Sequence, residues 1–498
     1  MLIKTLGPWP AVLLLVTGCS AAPRPVNPVD SMFGGDPATP AGESDPATPD
    51  ARGFSAVAEL VDERLAARVH WFQGTEEDAA VAASVGALLA GELTADAAVQ
   101  IALLNHRGLQ AEYEVLGVAQ ADLVQAGLLE NPVFAAGARF PDRPPSAANL
   151  ELGVAQSFLD LLVRPARREL AARELEETQL RVGAAVLDLA ADVRAAFYTL
   201  QGSRQAAAAL AVVDGAAESA AELASRQHAA GNLNDLDLAG YDALREEARL
   251  DLAGAEAAAA EGRERLSRLL GLWDDEGWTI AAALPELPAA EPDLAHLEQS
   301  ALARRLDLAA ARVEVDKLAR ALEITVRWRW IALAEIGVDR ERDTDGQTVT
   351  GPTLAVQLPV FDRGQGRVAR HEAFLRRGRQ RLAQRALEIR SEVRAARRRL
   401  LASRQLAERY RDVLIPLRQR IVAEAQRHYN FMLIGVYQVL EARRDEAAAY
   451  RDYLDAVRDY WLARAELERA VGAALTAPPA AIVPEAAVPE ETHHDHHH

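Results

Sequence analysis

The feature that most constrains this chain is an internal duplication with a period of about two hundred residues. Ala102-Leu103, followed by Leu109 and Ala111, returns 199 residues later as Ala301-Leu302, followed by Leu308 and Ala310. Gln156-Ser157-Phe158-Leu159-Asp160 matches Leu358-Pro359-Val360-Phe361-Asp362 at a spacing of 202, and Arg226-Gln227-His228 matches Gln426-Arg427-His428 at 200. The helix-ending Gly271 matches Gly472 at 201. Landmarks at so constant a spacing mean that any architecture assigned to one half must also serve the other.

Each half reads as helix, strand hairpin, very long helix, short turn and helix. The helical pattern runs from Asp160 to about His228 and again from Asp362 to about His428. At about 1.5 Å per residue each stretch is about 100 Å long, several times the diameter of a globular domain. Composition agrees: half the residues are apolar, only 5% are aromatic, and Ala, Leu, Glu and Arg recur in runs. Gly215 and Pro416 occupy one repeat position, and a bend or loosened turn is expected at both, since Gly lowers helix propensity and Pro removes a backbone donor.

The ends differ in character. Met1, Lys4 and the apolar stretch Ala11 to Val16 read as an export signal too short to span a bilayer permanently. Val16-Thr17-Gly18-Cys19 resembles the bacterial lipobox, which implies cleavage before Cys19, the chain's one cysteine, and its lipidation. Ser20 after it implies sorting to the outer membrane. Segments are expected at 1–18 (signal), 19–75 (lipidated terminus, Pro-rich tether and short helix), 76–290 (first repeat), 291–475 (second repeat) and 476–498 (Pro- and His-rich tail). The formal charge is −18, from 55 Lys and Arg against 73 Asp and Glu, and no basic cluster stands beside stacking aromatics, so a nucleic-acid partner is not expected.

The segments between helices alternate. Val326, Trp328, Trp330, Ala332, Ala334, Ile336 and Val338 share one face, as do Leu354, Val356, Leu358 and Val360, and more weakly Leu150, Leu152 and Val154. Polar turns are expected at Pro141 to Ala148 and Asp339 to Gln347. Alternation alone fits a soluble hairpin as well as a transmembrane barrel. The lipid anchor and the lack of a partner sheet favour the barrel, and four strands cannot close one, so other copies must complete it.

The duplicated strand and helix hairpins resemble the TolC outer-membrane factor family, over roughly Leu93 to Gly472. The most specific stretches are Arg427-His428-Tyr429-Asn430-Phe431-Met432-Leu433-Ile434-Gly435-Val436-Tyr437, Tyr460-Trp461-Leu462-Ala463-Arg464-Ala465-Glu466-Leu467 and the strand exit Leu358-Pro359-Val360-Phe361-Asp362-Arg363-Gly364. They are similar to the lipoprotein branch associated with heavy-metal and copper resistance. The resemblance implies a mainly α fold with a small β portion. Three protomers would share a transmembrane β-barrel continuous with an α-barrel tunnel. It also implies a homotrimer in outer-membrane lipid, extending into the periplasm. A periplasmic adaptor (membrane fusion) protein and an inner-membrane pump of RND type are the implied partners. The function implied is a passive exit duct for heavy-metal ions, with multidrug or protein secretion as other cargoes and a coiled-coil scaffold or adaptor as the alternative class.

Carried onto this chain, the family's pore aperture falls on Asp237, Gln438 and Glu441, and its adaptor contacts on the tips at Gly231, Asn232, Leu233, Met432, Leu433, Ile434 and Gly435. Gln438 departs from the acidic residue often found there. Carboxylates in a pore attract cations, although each is read equally well as a solvated helix-face charge. His228 and His428, read as repeat equivalents, lack a second ligand at i+3 or i+4 and are better taken as polar tip residues than as a metal site. Tyr450, Tyr453, Tyr460 and Trp461 read as packing between helices. No nucleophile and base pair, phosphate loop or hydrolase motif is present, so neither an enzyme nor a cofactor is expected. The tail His493, His494, Asp495, His496, His497 and His498 offers imidazole and carboxylate ligands suited to divalent Zn, Ni, Co or Cu.

Overall fold

The computed structural model describes residues 52–143, 147–273, 277–289, 291, 294–330 and 334–475. The signal, Cys19, the tether and the His-rich tail lie outside the described residues. The elements are α1 (Arg52–Leu65), α2 (Glu76–Leu89), β1 (Glu92–Leu93), α3 (Ala95–Asn105), α4 (Arg107–Gly127), β2 (Val133–Arg139), β3 (Asn149–Ser157), α5 (Phe158–Ala229), α6 (Asp235–Leu270) and β4 (Thr279–Ile280). They continue with α7 (Leu297–Arg304), α8 (Leu306–Trp328), β5 (Ala334–Arg342), β6 (Thr348–Val356), α9 (Gln365–Arg409), α10 (Ile415–Asn430) and α11 (Val436–Val471).

The duplication is visible in backbone conformation. α3 and α4 meet at His106 (φ −68°, ψ 117°), and α7 and α8 meet at Arg305 (φ −63°, ψ 118°). Each elbow caps the C-terminus of its half's returning helix. Gly271 and Gly472 end α6 and α11 in the left-handed region, at φ +72° and +77°. Both turns carry paired bonds to the carbonyls three and five residues back, the cap whose left-handed φ favours glycine. A Cβ on Gly271 would lie 2.5 Å from the Asn105 carbonyl oxygen. The exposed carbonyls accept from Asn105 Nδ2 in the first half (Leu270 O, 3.0 Å; Gly271 O, 2.9 Å). In the second half Arg305 does this work (Arg469 O, 3.4 Å; Ala470 O, 3.3 Å) and adds a cation at the negative end of α11.

α5 runs unbroken for 72 residues, about 108 Å. The bend or loosened turn expected at Gly215 does not occur: glycine keeps its N–H, so the hydrogen-bond ladder passes through. The expectation at Pro416 holds. Tyr410–Leu414 form a π turn in which Ile415 N–H donates to the Tyr410 carbonyl, five residues back. Pro416 has no N–H to donate to Asp412, and its ring would press on that carbonyl; the widened turn relieves both.

β2, β3, β5 and β6 form one antiparallel sheet in that order, while β1 and β4 pair in parallel elsewhere. The strand expected from Val326 starts later. Val326 and Trp328 continue α8, and β5 begins at Ala334. The strand expected over Leu354–Val360 is instead Thr348–Val356, ending before Pro359, which cannot donate to a ladder. The turn after β5 is correspondingly shorter, with Asp343 N donating to Gln347 O (2.9 Å) and Gly346 at φ +88°.

The cores lie where the short helices pack on the long ones. Tyr113, Leu103, Val193, Leu200 and Leu266 form the first; Leu308, Ile389, Leu400, Tyr460 and Leu467 form the second. Beside the second, Asp307 accepts from Arg305 (2.7 Å) and Arg385 (Nε, 2.7 Å), and Arg305 also reaches Glu392 (3.1 Å). Burial alone would raise the Asp307 carboxyl, but the bonds and charge of Arg305, then Arg385, outweigh it and hold it at about 2. Its folded value lies below its unfolded one, so the stabilisation is full above about pH 4 and is lost as pH falls toward 2. Asp307→Asn should cost about 1–2 kcal/mol at pH 7. Denaturant unfolding should show the gap to wild type closing as pH nears 2, and equal stability at pH 7 would contradict this account.

Candidate functional site

The register divides the four-stranded sheet into two unlike faces. Phe134 opposite Val154, Ala136 opposite Leu152 and Ala138 opposite Leu150 share one face, and Val154 then meets Val338 while Ile336 meets Leu354. Every large member of this face is exposed. The other face carries Arg139, Glu151, Gly153, Glu335, Gly337, Asp339, Glu341 and Thr353. Its groups engage each other: Arg139 to Glu151 at 2.6 Å, and Asn149 Nδ2 to Glu341 at 2.7 Å. A Cβ on Gly153 would lie 2.5 Å from Asp339 Oδ1, and one on Gly337 2.8 Å from Thr353 Oγ1. Side chains crowd the polar face, and the apolar face is open. Strands of nine residues, about 30 Å long, with an outward apolar face match a membrane barrel whose lumen is polar.

β3 passes into α5 without a loop, Ser157 ending one and Phe158 starting the other. Buried Asp160 secures the joint by accepting from Glu130 N (3.1 Å) and from Arg167. Strand β2 is expected only as the first arm of the hairpin, and its residues, Phe134 and Ala136 among them, are not assigned, because Val133-Phe134-Ala135-Ala136-Gly137 shows almost no alternation. The only available signal was its position before the polar turn.

At the far ends of the helices the two tips are superposable turn for turn at a spacing of 201. Gly231 N donates to His228 O (2.8 Å) as Met432 N does to Tyr429 O (2.8 Å), and Asn232 N to Gln227 O (2.9 Å) as Leu433 N does to His428 O (2.9 Å). His228 is therefore the counterpart of Tyr429, and His428 that of Gln227, which corrects the pairing of the two histidines read from the sequence. His228 staples its own tip, with Nδ1 at 2.9 Å from Leu233 O and Nε2 at 3.4 Å from Asp235. The left-handed position is glycine in the first tip (Gly231, φ +77°) but Met432 in the second (φ +58°). Met432 is 93% exposed and Phe431 75% exposed, with Leu433 and Tyr437 also open. The tips touch through Leu233, Leu238 and Tyr241 of the first half and Val436 and Leu440 of the second.

Asp237 and Gln438 occupy the same third position of α6 and α11. Asp237 is held in its helix cap, its N–H donating to Asn234 Oδ1 and its Oδ2 accepting from Asn234 Nδ2, both at 2.8 Å. Glu441 follows Gln438 by three residues, is exposed, and has no ion pair among the described residues. Behind the tips, Arg444 meets Glu247 (3.2 Å) and Arg451 meets Asp251 (3.8 Å), joining α11 to α6.

The aromatic set packs rather than forming a platform. Tyr460 donates to Glu291 (2.7 Å), Trp461 stacks on Tyr198 (centroids 5.2 Å) and donates to Pro285 O (3.0 Å), and Tyr450 accepts from Gln419 (2.6 Å). The bonds to Glu291 and Pro285 pin the segment between repeats to α11. Among the described residues no three His, Cys, Asp or Glu side chains converge as a metal site, and no helix is long and apolar enough to cross a membrane.

No family model matches the chain. It is 28% identical over 408 residues to the cobalt-zinc-cadmium resistance protein CzcC of Cupriavidus metallidurans, covering 77% of this chain and 91% of that one. The CmeC outer membrane channel of Campylobacter jejuni superposes with a TM-score of 0.66 at 15% identity, over 76% of this chain and 85% of CmeC. The outer membrane protein VceC of Vibrio cholerae gives 0.64 at 16% identity, over 79% and 97%. The chain has the fold of the TolC-type outer-membrane channels, the family its duplicated hairpins resemble.

Proposed function

We propose that this chain is the outer-membrane duct of a tripartite efflux system and that its cargo is divalent metal cations. The observation that carries the duct is an amphipathic sheet with both outer edges unpaired among the described residues, whose strand β3 runs without a loop into α5, a helix about 108 Å long. A scaffold or adaptor would need the helices but has no use for an outward apolar sheet. The metal assignment is supported by similarity along nearly the whole of a cobalt-zinc-cadmium resistance protein. In this reading Cys19 carries the lipid and three copies assemble. The periplasmic adaptor meets the tips at Gly231, Asn232, Leu233, Met432, Leu433, Ile434 and Gly435, and an inner-membrane pump of RND type supplies the energy. The duct moves its cargo passively and needs no cofactor, and the tail from His493 to His498 gathers metal beside it.

Two measurements test this reading. In cells lacking their own duct but holding a heavy-metal pump and its adaptor, expression of the chain should raise tolerance to cobalt, zinc or cadmium. Rescue of drug tolerance alone, with a multidrug pump, would reassign the cargo. In planar bilayers, replacing Asp237 and Glu441 together by Ala should lower cation preference. Glu441→Ala alone should produce most of the fall, because Asp237 is engaged by Asn234. Unchanged selectivity would place these side chains away from the lumen.

A further inference from the structure

The outward face of the sheet is apolar only part of the way. On β5 it reads Ala334, Ile336, Val338, then Arg340 and Arg342 at the end next to the turn, farthest from the helices. The two guanidinium groups are two residues apart on one face, about 7 Å along the strand. Their cross-strand neighbours on that face are known, since β5 lies inside the sheet. Arg340 faces Leu152 and Thr350, and Arg342 faces Leu150 and Thr348. None is a carboxylate.

The nearby acids are already engaged. Glu341 points to the other face and accepts from Asn149. In the turn, Asp343 accepts from Thr344 N (2.6 Å) and Asp345 from Gln347 N (2.8 Å). Arg139 on the polar face has its Glu151, whereas Arg340 and Arg342 are exposed and have no ion pair among the described residues. Exposed aromatic residues mark two levels, Phe140 just beyond β2 at this end and Trp330 and Phe158 at the helix end. Such pairs of levels mark the two interfaces of a barrel. An unpaired arginine on a lipid-facing surface is costly in hydrocarbon and cheap at headgroup level, where phosphate oxygens fit its planar donor fork.

We propose that Arg340 and Arg342 form a binding site for the phosphate groups of an anionic lipid headgroup, with the lipid's chains lying on Val338, Val154 and Ile336, which follow on the same face toward the helices. The site rests on the duct reading, because only a membrane barrel presents this face to lipid. It ties the barrel to the outer leaflet and fixes its depth there.

The test uses the full chain, purified in detergent and assayed for conductance in planar bilayers. Diphosphoryl lipid A, or the same lipid stripped of its phosphates, is added, and bound lipid is counted by native mass spectrometry. Wild type should prefer the phosphorylated form by about tenfold. R340Q/R342Q should lose that preference while keeping its assembled mass and conductance, and R340K/R342K should keep part of it. Millimolar inorganic phosphate should not displace the lipid, which is also held through its chains; displacement would overturn the lipid assignment. Equal preference in wild type and R340Q/R342Q would overturn the site itself. A wild-type chain that binds no lipid selectively yet conducts would overturn the site and leave the duct intact, whereas a chain that does not conduct would overturn both.

Discussion

The outer edges of β2 and β6 carry rows of backbone N–H and C=O groups that nothing among the described residues satisfies. In hydrocarbon each such group costs several kcal/mol, so a four-stranded sheet with an apolar face cannot rest in a membrane alone. Pairing with further copies removes both edges at once. Because β3 enters α5 without a loop and Asp160 locks the joint, a ring of strands forces a ring of helices, and the stalk becomes a tunnel. In the proposed duct, barrel closure, tunnel and assembly are one constraint expressed three times.

The duplication supplies equivalent positions, and the two halves fill them differently. Asn105 and Arg305 cap corresponding helix ends, Gly231 and Met432 occupy the same left-handed turn, and Asp237 and Gln438 take the same place in the returning helices. A non-glycine residue in that turn costs about 1 kcal/mol. Met432 and its neighbours Phe431 and Leu433 are exposed there, so the second tip offers a larger apolar surface than the first, where Leu236 is exposed between polar residues. Such asymmetry suits a contact with a partner that meets the two tips unequally.

The repeat, the long helices and the alternating segments were legible in the sequence because their periods persist over many residues. What failed was local. Val326 to Trp328 alternates like a strand yet belongs to α8, since a helix already under way adds a residue for one further hydrogen bond. Gly215 and Pro416 look alike as helix breakers, but only proline removes a donor, and only Pro416 is accompanied by a π turn. Strand β2 was hidden because small residues on both faces erase the alternation. Of the aperture, sequence resemblance placed Asp237, Gln438 and Glu441 near the tips but did not reveal that Asn234 holds Asp237, a bond set by the cap geometry. The paired histidines were one residue out of register, an offset visible only once the turn hydrogen bonds were laid side by side.

The central claim is that the sheet is completed by copies of the chain. Its most direct test is the mass of the conducting species, determined by light scattering of the detergent-purified protein and followed by bilayer recording of the same fraction. Three chains per conducting particle is the predicted result. A monomer that conducts would show that the edges of β2 and β6 are satisfied without partners, and would contradict the account.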